Sequence, residues 1–407
     1  MTFDWQKIKA EFPIFNSQPE LVFLDNASTT QKPLTVLDAE RNFYLEANAN
    51  VHRGVYEIAE KADQIYESVR SKVAAWIGAE AEEIVFVKNA TEGANLLAAG
   101  MSEILKKGNS VVVTELEHHA NYIPWQQAAK KAGAEFRVIG IDKESGDNGV
   151  GGDGSGNLDL NNLEEKIDAK CKVVAITMMS NVTGAQPDLT RIIARAKAVG
   201  AIVVLDAAQA AVHLKLEVKK LEADAIFFTG HKLYGPMGTG ILYMKKNLAE
   251  KISPLLFGGG MVKELPDQWL NIPHKFEAGT PNVAGLAGLG AAIDFLSGID
   301  RVAALEHEKN LVKLARKGLT EIVGVKLLGD EASSIISFTM EGIHPHDIAS
   351  ILAGEKVCIR AGHHCAKPLM NSLGLTACAR VSFALYNSEQ DVEKLIAAVK
   401  KARSIFK

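Results

Sequence analysis

Residues 201–244 read AIVVLDAAQAAVHLKLEVKKLEADAIFFTGHKLYGPMGTGILYM. Three short apolar runs stand out: AIVVL, DAIFF and TGILYM. None alternates with polar residues, so each reads as a strand covered on both faces. The same texture extends towards the N-terminus. EIVFVKNATEG (83–93) runs into the helix-like ANLLAAGMSEILKKG, and SVVVTELEHHAN (110–121) runs into YIPWQQAAKKAG. EFRVIGID (135–142) and KVVAITMMSN (172–181) add two more runs. Buried strands interleaved with helices predict an α/β fold with a mainly parallel sheet flanked by helices.

The polar residues fall in register with these runs. Glu117 and His118, Asn181, Asp206 and Gln209, and His231 and Lys232 all lie at or just past carboxyl ends. Ligands of open α/β sheets bind at that edge. Beyond about residue 290 the texture changes to long helical stretches (286–299, 301–324, 388–406) and short strands (333–340, 357–362, 380–387). This predicts a smaller α+β domain. The expected division is an N-terminal segment 1–20 packing with the small domain, a large domain 21–290 and a small domain 291–407. The first residues read as a short amphipathic helix ended by Pro13, and Ser388 as the N-cap of the closing helix.

Bulk composition narrows the function. The 407 residues carry 45 basic and 49 acidic side chains, a net charge of −4. That speaks against nucleic acid as a partner. No apolar run approaches the roughly 20 residues that span a bilayer, so no membrane partner is expected. Four cysteines are too sparse for a disulfide scaffold and suit a reducing, cytoplasmic setting. The stretch ESGDNGVGGDGSGN (144–157) matches G-x-G-x-x-G at Gly149, Gly151 and Gly154. It neither leaves a strand directly nor opens a helix, so it reads as a mobile surface loop and not as a dinucleotide fingerprint.

Chemistry enters at Lys232 and Asp206. A lysine just past a buried strand can form a Schiff base. Asp206, ending the preceding run, falls beside it on the same edge. Pyridoxal phosphate needs this pair: the lysine for its aldehyde, the carboxylate to keep the pyridine nitrogen protonated. Taken singly, Lys232 could be a solvated loop lysine and Asp206 a helix cap. KNATEGANLL offers a phosphate seat, the N–H groups of Ala90 and Thr91 at a helix start, with Thr229 and His231 in reach. His118 is placed to stack on a ring or move a proton. Arg380 suits a substrate carboxylate, with Arg360 as a second candidate; both could equally be salt-bridge partners.

RAGHHCAKP (360–368) sets Cys365 behind His363 and His364. Consecutive ligands diverge in an extended segment, and no partner pair has zinc spacing, so no metal is expected. A thiol beside His363, His364 and Lys367 reads instead as a nucleophile. Cys171, Cys358 and Cys378 lie in apolar surroundings and read as core.

The ordered series FLDNAS, VHRG, NATEG, EHHAN, SNVTG, DAAQA, TGHKLYGP, FEAGTPN and RAGHHCA resembles the cysteine desulfurases. The compact Cys365 segment is similar to the Suf-type (group II) branch of these class V aminotransferase-like, fold-type I pyridoxal phosphate enzymes. The resemblance implies roles residue by residue. Lys232 forms the Schiff base, Asp206 pairs with the pyridine nitrogen, Gln209 bonds the ring hydroxyl and His118 stacks on the ring. Thr91, Thr229 and His231 hold phosphate, joined by Thr280 from the other subunit of a homodimer. Asn181 and Arg380 bind the substrate carboxylate, with Arg360 nearby.

The resemblance further implies that Cys365 takes sulfur from L-cysteine, or from L-selenocysteine its selenium, leaving alanine. The persulfide would pass to an acceptor protein of the SufE or SufU type, for iron–sulfur cluster assembly. Ala90 departs from the pattern, standing where relatives often carry Thr, and the Gly-rich loop is longer than the family's. Two rivals stay open: a transaminase or other lyase that would not need Cys365, and a non-catalytic binding protein, which the intact Lys232/Asp206 pair opposes.

Overall fold

The structure, a computed structural model, describes residues 3–52, 54–142, 156–265, 268–329 and 333–406. The Gly-rich stretch therefore lies, but for its last two residues, outside the described residues.

The apolar runs pair into one seven-stranded sheet. Its order is Ile84–Val87, Gly240–Met244, Ala225–Thr229, Ile202–Asp206, Cys171–Thr177, Ser110–Thr114, Glu135–Ile139. Only Gly240–Met244 runs antiparallel to its neighbours. Central strands such as Ala225–Thr229 are buried at every residue, which is why their sequences do not alternate. Helices Ala90–Gly100 and His119–Ala132 cover one face, packing Leu97 and Trp125 against Val111, Val173 and Phe227. Glu57–Ile77, Leu189–Ala198 and Val283–Ser297 cover the other. Val283–Ser297 packs on Leu34–Glu46 and Glu57–Ile77, so the change of texture near residue 290 falls inside a helix.

A second, antiparallel sheet follows the order Val325–Leu328, Ile335–Met340, Cys378–Ser382, Arg360–Gly362. Helices Arg301–Thr320, Pro345–Gly354 and Glu389–Ile405 pack with it. Ser388 caps the last of these, and Asp391 bonds back to the Ser388 N–H to complete a capping box.

The N-terminal segment differs in one detail from its sequence reading. The first helix, Trp5–Ala10, ends before Pro13, and Pro13 instead opens a second short helix, Pro13–Ser17. Proline's fixed φ and missing N–H suit a first helical position better than a stop. Phe12 then meets Tyr234, Phe295 and Tyr386 edge-on, with ring centroids 4.7–5.9 Å away. The chain next pairs Val22–Phe23 in parallel with Val357–Cys358 and bridges Asp25 to Ser382. Residues near the start are thus built into the region made near the end. All four cysteines are free thiols. Cys171 and Cys378 are core, but Cys358 is only half-buried, because its two-residue strand lies outside the two main sheets.

Candidate active site

A cavity of about 250 Å³ opens at the carboxyl edge of the large sheet. Asp206 and Thr229 reach it from the last positions of their strands, Gln209, His231 and Lys232 from the turns that follow. Ala90, Thr91 and His118 reach it from two helix starts, and Asn181 from the turn after Cys171–Thr177. Arg360, Cys365 and Arg380 enter from the smaller sheet and its loop. Every residue expected to reach the cavity from this chain is there; Thr280, expected from a second subunit, is not. It lines a separate pocket beside Glu277, which Arg70 grips with two hydrogen bonds of 2.8 and 2.9 Å.

Lys232 closes a single 3₁₀ turn, Gly230–Lys232. The carbonyl of His231, in the peptide just before it, accepts from four donors. These are the Thr30 N–H (3.1 Å), the hydroxyls of Thr29 (3.1 Å) and Thr30 (3.2 Å), and the Lys32 ammonium (2.8 Å). The Lys232 amine itself makes no hydrogen bond or ion pair among the described residues. Burial lowers its pKa to about 8, opposed by Asp206. Asp206 accepts at Oδ1 from the Ala208 N–H (2.8 Å), and burial raises it to about 6. Its Oδ2 has no hydrogen-bond partner among the described residues. A buried carboxylate with one oxygen fixed and the other free suits a cationic ring nitrogen.

His118 caps helix His119–Ala132, its Nδ1 accepting from the Ala120 N–H at 3.1 Å. The proton therefore sits on Nε2. Burial first, then Lys232, drives its pKa down to about 3 and keeps the ring neutral. At the start of Ala90–Gly100, Asn89 caps through Glu92 N–H (2.9 Å), leaving the N–H groups of Ala90 and Thr91 without partners among the described residues. With the Thr91 and Thr229 hydroxyls and His231, they form a donor set that fits a phosphate. Gln209 Nε2 spends one hydrogen on the Ala27 carbonyl (2.8 Å), and its second remains for a ligand.

Arg380 is buried and tightly held. Nη1 donates to the Asn181 carbonyl (2.9 Å), and Nη2 to Ser28 Oγ (2.7 Å) and Asp25 Oδ1 (3.1 Å). Its Nε and the Asn181 Oδ1 are buried without partners. Arg360 is half exposed and also donates to Ser28 Oγ, at 2.8 Å. Asn181 serves the Cys365 loop as well, donating Nδ2 to the His364 carbonyl at 2.8 Å.

Cys365 sits between strand Arg360–Gly362 and helix Lys367–Ser372, half-buried at the cavity wall. His364 and Cys365 both hold left-handed backbone, with φ of 51° and 54°. The two histidines expected to tune the thiol bond to backbone instead. His363 Nδ1 accepts from the Cys365 N–H (3.0 Å), and His364 Nε2 donates to the Cys378 carbonyl (3.1 Å). The tight double left-handed turn, invisible in a linear motif, points their rings that way. Among the described residues no group of three or more His, Cys, Asp or Glu is arranged to hold a metal.

The sequence reading gave no separate role to Asp25 and Ser28, to the Glu117 hydrogen-bond set, or to His119. Glu117 accepts from Thr114 Oγ1 (2.6 Å), Asn121 Nδ2 (2.7 Å) and the Thr177 N–H (3.0 Å). Asp25 and Ser28 lie in FLDNAS, and their signal was a short polar stretch following the apolar pair Phe23 and Leu24.

A lysine and a carboxylate on the carboxyl edge of such a sheet, beside a phosphate-shaped donor set, define a class of fold. The chain belongs to the class V aminotransferase family, which matches residues 22–395. Within it, a probable cysteine desulfurase from Streptomyces coelicolor is 41% identical over 99% of this chain and 98% of its own length. A cysteine desulfurase from Serratia proteamaculans is 39% identical over the full length of both. The crystal structure of the cysteine desulfurase CsdA from Escherichia coli, in an S-sulfonic acid form, has a TM-score of 0.91 at 37% identity over the whole of both chains. The apo cysteine desulfurase from Thermococcus onnurineus scores 0.90 at 38% identity, over 97% of each chain.

Proposed function

We propose that this chain is a pyridoxal 5'-phosphate-dependent cysteine desulfurase. It converts L-cysteine to L-alanine and keeps the sulfur as a persulfide on Cys365. The observation that carries the reading is that Cys365, from the small-sheet loop, lines the same cavity as Lys232 and Asp206.

Lys232, Asp206, Gln209, His118, Ala90, Thr91, Thr229 and His231 would hold the cofactor, with Thr280 contributed by a second subunit. When bound, pyridoxal phosphate supplies an electron sink for the substrate's α-carbon. Arg380 and Asn181 take the substrate carboxylate, and the unpartnered Arg380 Nε and Asn181 Oδ1 fit a polar ligand there. Arg360 adds a second guanidinium at the exposed rim. The Lys232 amine, with its pKa lowered to about 8, removes the α-proton. His118, neutral with its hydrogen on Nε2, stacks as a flat, uncharged ring. The Cys365 thiolate attacks the substrate sulfur. The S–S bond forms as the Cβ–S bond breaks, and the three-carbon fragment takes one proton at Cβ, regains one at Cα from Lys232 and leaves as alanine.

The finer assignments rest on this reading. The Suf-type branch is supported by the short Cys365 segment, four residues between strand and helix. A homodimer is supported by Thr280 lying outside its own cavity and by exposed apolar side chains including Val55, Leu45 and Phe257. A SufE- or SufU-type acceptor would take the persulfide sulfur for iron–sulfur cluster assembly. Four free thiols, and no single described helix long and apolar enough to cross a membrane, agree with a cytoplasmic site of action.

The test is Cys365→Ala, assayed on L-cysteine for alanine and sulfide, with borohydride bleaching of the yellow holoenzyme as the cofactor control. Alanine formation should fall at least about 100-fold, the scale expected on losing a nucleophile, while the colour and its bleaching persist. Alanine at the wild-type rate would remove Cys365 from the reaction.

A further inference from the structure

The Cys365 loop holds an unusual backbone. Two consecutive residues with side chains, His364 and Cys365, occupy the left-handed region. Each such residue costs on the order of 1–2 kcal/mol, so surrounding contacts must hold the turn in place. Its two carbonyls are both caught from the large sheet's side. Asn181 Nδ2 takes the His364 carbonyl at 2.8 Å, and the backbone N–H of His119 takes the Cys365 carbonyl at 2.7 Å.

His119 makes a second contact with the loop. Its ring Nε2 accepts from the Lys367 N–H at 3.2 Å. His119 is the first residue of the fourteen-residue helix His119–Ala132, and Lys367 is the first of helix Lys367–Ser372. Two helix starts therefore interlock. The N–H of one bonds the loop carbonyl, and the N–H of the other bonds the first one's side chain. One orphan donor of each first turn is satisfied across this contact.

We propose that His119 is a positioning residue that fixes the Cys365 thiol over the cavity by accepting the Lys367 N–H on its ring while its own N–H holds the Cys365 carbonyl. Accepting at Nε2 requires a neutral ring with its hydrogen on Nδ1. Burial, and the neighbouring His363 and Lys367, lower the His119 pKa and keep it so. The His363 ring lies 5.7 Å away and the His118 ring 6.4 Å, neither offering a negative charge that would favour protonation. A substitution removes the ring bond but leaves the backbone bond. The role therefore belongs to one acceptor atom. This inference rests on the reading of Cys365 as the sulfur acceptor.

The experiment uses the full-length holoenzyme with His119→Phe, which keeps a ring but no acceptor, and His119→Gln, whose side-chain oxygen reaches about as far as Nε2. Two quantities are measured: alanine formation from L-cysteine, and the rate at which iodoacetamide labels Cys365 without substrate, located by mass spectrometry. His119→Phe should lower kcat about tenfold, the size expected for one lost hydrogen bond that positions the nucleophile, with the L-cysteine-induced absorbance change of the cofactor intact. Its Cys365 should label about threefold faster, and His119→Gln should return both quantities to near wild type. Wild-type values for both in His119→Phe, or equal damage in Phe and Gln, would overturn the proposal. Labelling reports on the loop without turnover, so this failure is separable from an active Cys365→Ala, which would overturn the functional reading alone.

Discussion

At Lys232 two opposing effects meet. Burial disfavours its ammonium, Asp206 favours it, and burial wins, leaving a pKa of about 8 against an ordinary 10.5. The sign of the consequence follows. Between about pH 8 and 10.5 the unfolded chain binds the extra proton, so this group makes stability rise with pH there. Below 8 its desolvation is fully felt in the fold. Cofactor-free Lys232→Met should therefore melt above cofactor-free wild type at pH 7, and the gap should narrow steadily between pH 8 and pH 10. A gap constant with pH would contradict the lowered pKa. Lys232 and Asp206 were legible in the sequence because Asp206 ends a continuous apolar run and Lys232 follows another by one short turn, and strand ends place chemistry. The histidines beside Cys365 were not. Which way a ring points there depends on two left-handed residues and on Asn181 and His119, which lie far away in sequence.

At the scale of elements, Glu117 is a strut. It joins the end of strand Ser110–Thr114, the end of strand Cys171–Thr177 and the first turn of helix His119–Ala132, through Thr114, Thr177 and Asn121. Asn121 is oriented by Trp125, whose indole donates to its Oδ1 at 2.9 Å, so its amide can only donate to Glu117. All three neighbours of Glu117 are donors. Glu117→Gln puts an amide N–H against one of them, and should cost about 1–3 kcal/mol in urea unfolding. An unchanged midpoint would mean the three contacts contribute nothing net. The helix carrying His118 and His119 is set by this strut. Sequence reading located Glu117 at the sheet edge but could not show that it faces inward, because strand-end residues point to either side of the sheet.

Across the whole molecule, the two sheets are joined by buried polar contacts. Glu308, on helix Arg301–Thr320, meets His213 Nδ1 at 3.1 Å and Ser334 Oγ at 2.7 Å. His213 ends the short helix that follows Asp206 and Gln209, so this contact links the cofactor edge to the C-terminal region. Glu308→Ala leaves both partners buried and unpaired, and should cost about 2–3 kcal/mol, read as a lowered unfolding midpoint. Loss of less than a few tenths of a kcal/mol would show that water replaces the carboxylate without penalty. The α/β class and the large sheet's strands could be read from run length, whereas the stretch 357–362, read as one strand, divides between a two-stranded pairing and the smaller sheet. The seam between the two main sheets could not be read, since it is made of pairs such as His213 and Glu308 that share no local pattern.

Asp25 and Ser28 hold Arg360 and Arg380, partners 332 and 355 residues further along the chain. Asp25 and Ser28 are thus translated more than 300 residues ahead of either arginine. A chain that stops short of Arg360 therefore lacks both arginines proposed to take the substrate carboxylate, however well its large sheet has formed. An incomplete chain could gather the phosphate donors and Lys232, yet lack both the guanidinium groups and the thiol. On the proposed reading, sulfur chemistry waits until translation has passed Arg380.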